Sequence, residues 1–519
     1  MSSTAWPQLR AALTAVFACG VFSAAACASE LTVALGSSFT TLDPYDANDT
    51  LSQNVAKSFY EGLFGFDASM KPVPVLAAGY AVSADGLNYT VTLREGVRFH
   101  DGTVFNAEAV KANFDRVTTP ASHLKRYGLY SNIAKTEVVG PYTVKFTLKE
   151  PFSAFINQLA HPSAAMVCPS ALADGKMLSR RPCGTGPYVL ETYSPTSVLK
   201  VKKFDGYRIA GLPKLDGITW LPVPESSTRS AMLRTGEAQA AYPVPADQAR
   251  AMESRGGVRI EASPSIIERI VSFNTLVKPF SDVRVRQALN YAVDKKAFCR
   301  VVFKDYADPA AGVMPAAVDY AVSFDPWPYD PKKARELLAE AGYPDGFSTT
   351  LWSAFNHSMG SKAVQFIQQQ LAQVGVRVKV ETLEAGQRVA RVESVRSPDE
   401  AGVRMYYFGW SASTGEADWA LRPVLAEESF PPRLMNTAYY RNPAFDAELQ
   451  AALRTTDREV KARHYRVAQE IVWQDAPWLF LAVEQNILLR SERLSGFRIL
   501  PDGGFDFREA ELRRETGDF

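Results

Sequence analysis

The most constraining stretch of the chain lies between Thr349 and Val380. Thr349 to Trp352 reads as a short strand, Ser361 to Val374 as a helix closed by Gly375, and Val376 to Val380 as a second strand. A strand, a helix and a strand in so short a run can close only as a parallel, right-handed unit with the helix on one face of a sheet. A further apolar strand, Arg404 to Trp410, follows and ends in a loop rich in Ser, Thr and Gly. In sheets of this kind ligands lie outside the carboxyl ends of the strands, so the loop from Ser411 to Trp419 is where a binding site is expected.

The front half has a different texture. Leu31 to Leu35 is a buried strand, and Tyr89 to Leu93 and Thr143 to Leu148 alternate apolar and polar residues with period two, as half-buried strands do. Asn106 caps an amphipathic helix running to Asp115. Further on, Asp330-Pro331 opens a helix whose core stripe is Ala334, Leu337, Leu338 and Ala341, and Gly342 closes it. Late helices are expected from Pro443 to Leu453 and from Glu459 to Gln474. At 519 residues the chain exceeds what one hydrophobic core supports. The reading is therefore an α/β protein of two lobes facing a cleft.

The N-terminus carries one charge, Arg10, before Glu30, then an apolar run from Ala11 to Phe22 and the small residues Ala26-Cys27-Ala28. This is the layout of a cleaved secretory leader over residues 1–28, and the run is too short for a permanent span. Acylation at Cys27 is the rival processing route. Export to an oxidising compartment lets Cys168 and Cys183 pair across the polar loop between them, while Cys299, in an apolar helical stretch, reads as a buried thiol. With 57 basic and 56 acidic side chains, nothing points to nucleic acid or an anionic membrane as partner, so charge selectivity must be local.

No catalytic signature is present: no G-x-S-x-G elbow, no H-E-x-x-H, no phosphate-binding glycine loop. Gly184-Thr-Gly186 is followed by Pro187 and reads as a turn. The five histidines are scattered without metal-ligand spacing, and only His357, between Asn356 and Ser358, sits where a ligand would touch it. Trp410 and Trp419 flank the Ser/Thr/Gly loop and offer broad faces with a polar handle, suited to holding a flexible polar ligand.

Ser83 to Gly102, Ser281 to Asp294, Gly184 to Tyr188 and Tyr329 to Leu338 closely resemble the signature segments of the dipeptide/oligopeptide/nickel family of extracellular solute-binding proteins. Ser37 to Ser52 and Gly409 to Leu421 resemble the glutathione-binding branch of that family. The resemblance implies the two-lobed periplasmic (Venus flytrap) fold with an extra domain inserted in the first lobe. In this numbering that is a discontinuous first domain (29–61, 189–276 and 491–519), an insertion (62–188) and a second lobe (277–490). It further implies a monomeric periplasmic carrier without cofactor, metal or catalysis, which captures glutathione or a related peptide and delivers it to the membrane and ATPase subunits of an importer. A dipeptide or oligopeptide, a nickel chelate or haem is the alternative cargo.

In dipeptide-binding relatives an Asp in the loop after the Gly-Trp strand pairs the ligand's ammonium, and the match here is Asp418. Arg388 and Lys362 are the candidates for the ligand's carboxylates, Arg being suited to a planar bidentate grip. Ser411, Ser413, Trp410, Trp419 and His357 complete the expected wall, with Ser38, Phe39, Thr40 and Thr41 reaching in from the other lobe. The alternative for Asp418 is a cap for a helix beginning at Trp419. The cysteines at 168 and 183 are not part of the family pattern.

Overall fold

The computed structural model describes residues 29–47, 49–172 and 177–513, so the expected leader, with Cys19 and Cys27, lies outside the described residues. Among the described residues no helix is long and apolar enough to cross a membrane.

Two long antiparallel strands, Val258–Phe273 and Trp478–Ser491, run through the middle of one large mixed sheet. Their outer halves belong to different neighbourhoods. Residues 258–264 pair with 485–491, and beyond them come Ala240–Tyr242, Glu30–Leu35, Gly217–Pro222, Val198–Lys203 and Tyr188–Ser194. Residues 267–273 pair instead with Met405–Ser411, followed by Ser348–Ser353 and Arg377–Thr382. The ladder breaks register between Pro264 and Glu268 and again between Arg269 and Ile270, so the two halves of the sheet meet at a bulged crossing of two strands.

The expected parallel unit is present: Ser348–Ser353 and Arg377–Thr382 pair in parallel, joined by the helix Ser358–Ala372. Gly375, at φ +85°, ends that helix, and its side-chain-free backbone fits against Gly346 and Asp345. Asn106 caps Ala107–Thr118 through a hydrogen bond from the Ala109 amide, and Asp330 caps Pro331–Glu340 through the Lys333 amide. The late helices are Pro443–Arg454 and Arg458–Asp475.

A separate four-stranded antiparallel sheet, ordered Ala77–Val82, Asn88–Leu93, Thr143–Leu148, Ile133–Gly140, packs the Ala107–Thr118 helix. Its apolar face is not a core of its own. Val91, Phe114 and Phe146 belong to one continuous cluster with Leu31, Leu35 and Trp220 of the main sheet. The other half of the main sheet has its own clusters, one around Tyr406, Phe408 and Trp478 and one around Leu351, Ile367 and Leu479. Loops from the two sides touch across the cleft. The Asn157 amide donates to the Thr414 carbonyl at 3.0 Å, and the Ser153 amide to the Leu453 carbonyl at 2.9 Å.

Cys168 and Cys183 form a disulfide with their Cα atoms 5.4 Å apart, and Cys299 is free and buried. The bridge delivers the chain to Gly184 and Gly186, whose Cα atoms lie against the Phe59 backbone so closely that a Cβ on either would collide with it. The Gly-Thr-Gly segment is thus a close-packing turn. Closing a loop of 15 residues stabilises the fold by about 3 kcal/mol in the chain-entropy picture. Thiol titration of denatured, unreduced protein beginning at residue 29 is expected to find one reactive thiol, Cys299; three would contradict the bridge.

At the bulged crossing sits a group without a partner. Glu268 is 4% exposed, its Oε1 accepts no hydrogen bond, and burial alone pushes its carboxyl well above the ordinary 4.5. Because the folded carboxyl keeps its proton to higher pH than the unfolded one, it costs stability as pH rises above that ordinary value. Glu268→Gln is therefore expected to stabilise the protein at pH 7.5, seen as a higher melting temperature than the parent's. At pH 4 it should gain nothing. Equal stability of the two proteins at pH 7.5 would refute this.

Candidate functional site

The site is built around the helix Thr50–Ala56 and its C-cap Lys57. Asp49 caps the helix through the Ser52 amide at 2.8 Å, and Thr40 steadies that cap by donating to the Asp49 carboxylate at 2.7 Å. At the other end Asn54 holds the C-terminal segment: its amide donates to the Gly503 carbonyl at 2.8 Å and its oxygen accepts from the Phe505 amide at 3.0 Å. That clamp brings Asp502 beside Lys57, although they stand far apart in sequence. The Asp502 carboxylate accepts from the Gly504 amide at 2.7 Å.

A cleft of about 190 Å³ lies between these groups and the opposite lobe. Its walls include Gln53, Lys57 and Asp502, then Arg126 and His161 from the inserted segment, and Ser411 and Ser413 from across the gap. Arg126 donates through Nε to the Ala47 carbonyl at 3.0 Å, which leaves the outer nitrogens of its guanidinium without a partner among the described residues. Burial lowers its pKa, partly offset by Tyr130 and Asp49. The Lys57 ammonium likewise has no hydrogen-bond or ion-pair partner among the described residues. His161 is buried and accepts at Nδ1 from the Ser163 amide at 3.1 Å, so the ring proton sits on Nε2. Burial, and then the neighbouring Arg126 and Lys57, push its pKa well below 6.5 and keep the ring neutral.

The cleft thus offers two unpaired cations, one carboxylate and neutral donors, walled by serine hydroxyls. That arrangement binds a zwitterionic ligand with an excess of negative charge.

Of the residues singled out from sequence, Ser411 and Ser413 line this cleft. Trp410 and Trp419 shape it from behind: the Trp410 indole donates to the Trp419 carbonyl at 2.7 Å, with ring centroids 6.2 Å apart, and pins the loop between them. Asp418 is 2% exposed and takes a bidentate grip from Arg422 at 2.8 and 2.7 Å, so its charge is balanced within the chain. Nor does it cap a helix beginning at Trp419. The helix is Ala417–Leu425, and Glu416 caps it through the Asp418 amide at 2.7 Å.

The remaining candidates stand elsewhere. Arg388 pairs with Glu393 at 2.8 Å. Lys362 is exposed on its helix, and His357 caps that helix through the Gly360 amide at 3.2 Å. Phe39 is a core residue, Thr41 is buried in a turn with Asp43, and Ser38 and Thr40 are exposed. Lys57, Arg126, His161 and Asp502 were not singled out from sequence. Each is an ordinary residue in its local pattern, and no short-range signal joins them.

Comparison with known proteins places the chain in a family. Residues 71–431 match the model of the bacterial extracellular solute-binding proteins, family 5 middle region. The chain is 58% identical to the glutathione-binding protein GsiB of Salmonella typhimurium, over 94% of this chain and 95% of that protein. It is 58% identical to GsiB of Escherichia coli K12 over 95% and 96%. Among solved structures, HbpA2 of Haemophilus parasuis superposes with a TM-score of 0.83 at 26% identity, covering 93% of this chain and all of that one. The periplasmic binding protein DppA of Helicobacter pylori, in complex with the peptide STSA, superposes at 0.77 with 27% identity, covering 93% and 98%. This chain belongs to the family 5 bacterial extracellular solute-binding proteins, with their two-lobed fold.

Proposed function

We propose that this protein captures glutathione in the cleft between its lobes and hands it to the membrane and ATPase subunits of an importer, without catalysing a reaction. The observation that carries the reading is the charge set of the cleft. Lys57 and Arg126 are cations without a carboxylate partner among the described residues, Asp502 is a carboxylate beside them, and glutathione brings two carboxylates and one ammonium. The serine hydroxyls and the His161 Nε2–H supply neutral donors for its amide oxygens and carboxylates. High identity to proteins named for glutathione supports the same cargo. The N-terminal pattern supports export through a leader removed near residue 28.

In this reading the ligand's ammonium goes to Asp502 and not to Asp418, whose carboxylate Arg422 already occupies. The two assignments separate cleanly. Asp502→Asn keeps an oxygen for the Gly504 amide, so the fold should survive while glutathione affinity falls by about 2–5 kcal/mol, at least tenfold. Asp418→Asn leaves the largely buried Arg422 without its carboxylate and should lower stability by about 3 kcal/mol, with affinity within threefold of the parent. Calorimetry and thermal unfolding of both variants decide it, and the reverse pattern returns the amine to Asp418.

Capture by closure follows from the two-strand crossing. The lobe that runs from Glu268 to Val483 is proposed to move against the one formed by the chain before Pro264 and after Gln485, bending at the bulge between Pro264 and Glu268. Small-angle X-ray scattering should give a smaller radius of gyration with saturating glutathione than without it. Superimposable curves, with binding verified by calorimetry, would exclude hinged capture.

A further inference from the structure

A second cavity of about 400 Å³ adjoins the cleft and shares Gln53, Lys57, His161, Pro162 and Asp502 with it. The two volumes are chambers of one site with a common wall, and that wall carries two of the three charges assigned to glutathione. The chambers differ in chemistry. Beyond Lys57 and Asp502, the second chamber is walled by the short hairpin Phe64–Phe66 and Pro72–Pro74, by Val75 and by Phe505. Its deeper charges are already matched inside the protein. Arg208 grips Glu61 through contacts of 2.8 to 3.1 Å, and Arg508 lies 3.4 Å from Asp506. Arg498 is exposed at the rim.

Resting on the glutathione reading above, we propose that this chamber receives the substituent of a glutathione S-conjugate, so that the cargo class includes tripeptide thioethers bearing apolar groups. The charged groups of glutathione are at its two ends and the sulfur is in its uncharged middle. Once the ends are held by Lys57, Arg126 and Asp502, the sulfur is the position from which a group can leave the charged cleft without carrying charge with it. The side of the chamber formed by Val73, Pro74, Val75 and Phe505 rewards an alkyl or aryl group there, because such a group gives up water against apolar side chains. Free glutathione would leave this volume to water. The apolar chamber therefore widens the range of ligands while the charged cleft keeps the tripeptide requirement.

The test is a calorimetric ligand series on the purified protein: glutathione, S-methylglutathione and S-hexylglutathione, on the parent and on Val73→Trp. Val73 is half-buried in the chamber wall and absent from the charged cleft, so a bulky ring there fills the chamber alone. The parent is expected to bind S-hexylglutathione at least as tightly as glutathione. In Val73→Trp the hexyl conjugate should weaken at least tenfold while glutathione changes less than twofold. A parent that binds glutathione but loses the hexyl conjugate tenfold or more overturns the chamber assignment and leaves the glutathione reading standing. A parent that binds none of the three overturns both. Should Val73→Trp fail to fold, the same substitution at the exposed Pro74 on the same wall replaces it, with the same outcomes required.

Discussion

The antiparallel pairing of Val258–Phe273 with Trp478–Ser491 is the constraint on which the rest of the molecule depends. Each of these strands begins in one lobe and ends in the other, so the lobes are hydrogen-bonded into a single sheet and yet joined through two strands. A continuous ladder would fix the lobes rigidly. The register breaks on either side of Glu268 interrupt it where the lobes meet, and an interrupted ladder bends more readily than a regular one. A buried carboxyl at the same point, with no partner among the described residues, lowers stability there. The Ile266 amide, just before the break, donates to the Pro501 carbonyl at 3.0 Å, next to Asp502. The crossing and the ligand cleft are therefore mechanically adjacent.

The site itself follows a division of labour among charges. Several buried ions elsewhere in the chain are matched within it: Asp43 with Arg116, Glu61 with Arg208, Glu416 with Lys461 and Asp418 with Arg422. Unmatched charge in a partly desolvated place is costly. Lys57 and Arg126 carry that cost in the cleft, and in the proposed function the two carboxylates of the ligand relieve it. The same logic explains why His161 must be neutral. A third positive charge beside these two would add repulsion without a third carboxylate to meet it.

Much of the fold could be read in the sequence because it rests on local rules. The parallel unit around Ser358–Ala372 was legible from periodicity and Gly375, and the caps at Asn106 and Asp330 from residue type. The Cys168–Cys183 bridge was legible from compartment and spacing. The site was legible on one side, where a strand ends in Ser411 and Ser413. Its charged half was not, because Lys57, Arg126 and Asp502 reach one place through a helix cap, a loop and a C-terminal clamp at Asn54. The ion pair at Asp418 was hidden for a related reason. A carboxylate in a glycine-rich loop looks available for a ligand, and only the i,i+4 geometry of the helix Ala417–Leu425 reveals that Arg422 has taken it.

That ion pair still serves the site. Beneath the serine loop, Glu416 caps the helix and forms an ion pair with Lys461 at 2.7 Å, Tyr465 donates to the same carboxylate at 3.3 Å, and Asp418 and Arg422 lock the first turn. Four charged side chains so placed contribute little net stability against apolar replacements. What they do is fix where the helix starts, and hence where the loop before it lies. With Trp410 holding the Trp419 carbonyl from the other side, the hydroxyls of Ser411 and Ser413 face the cleft from a platform that does not need the ligand to order it. A wall ordered by the chain itself leaves less loop entropy to be lost when a ligand arrives.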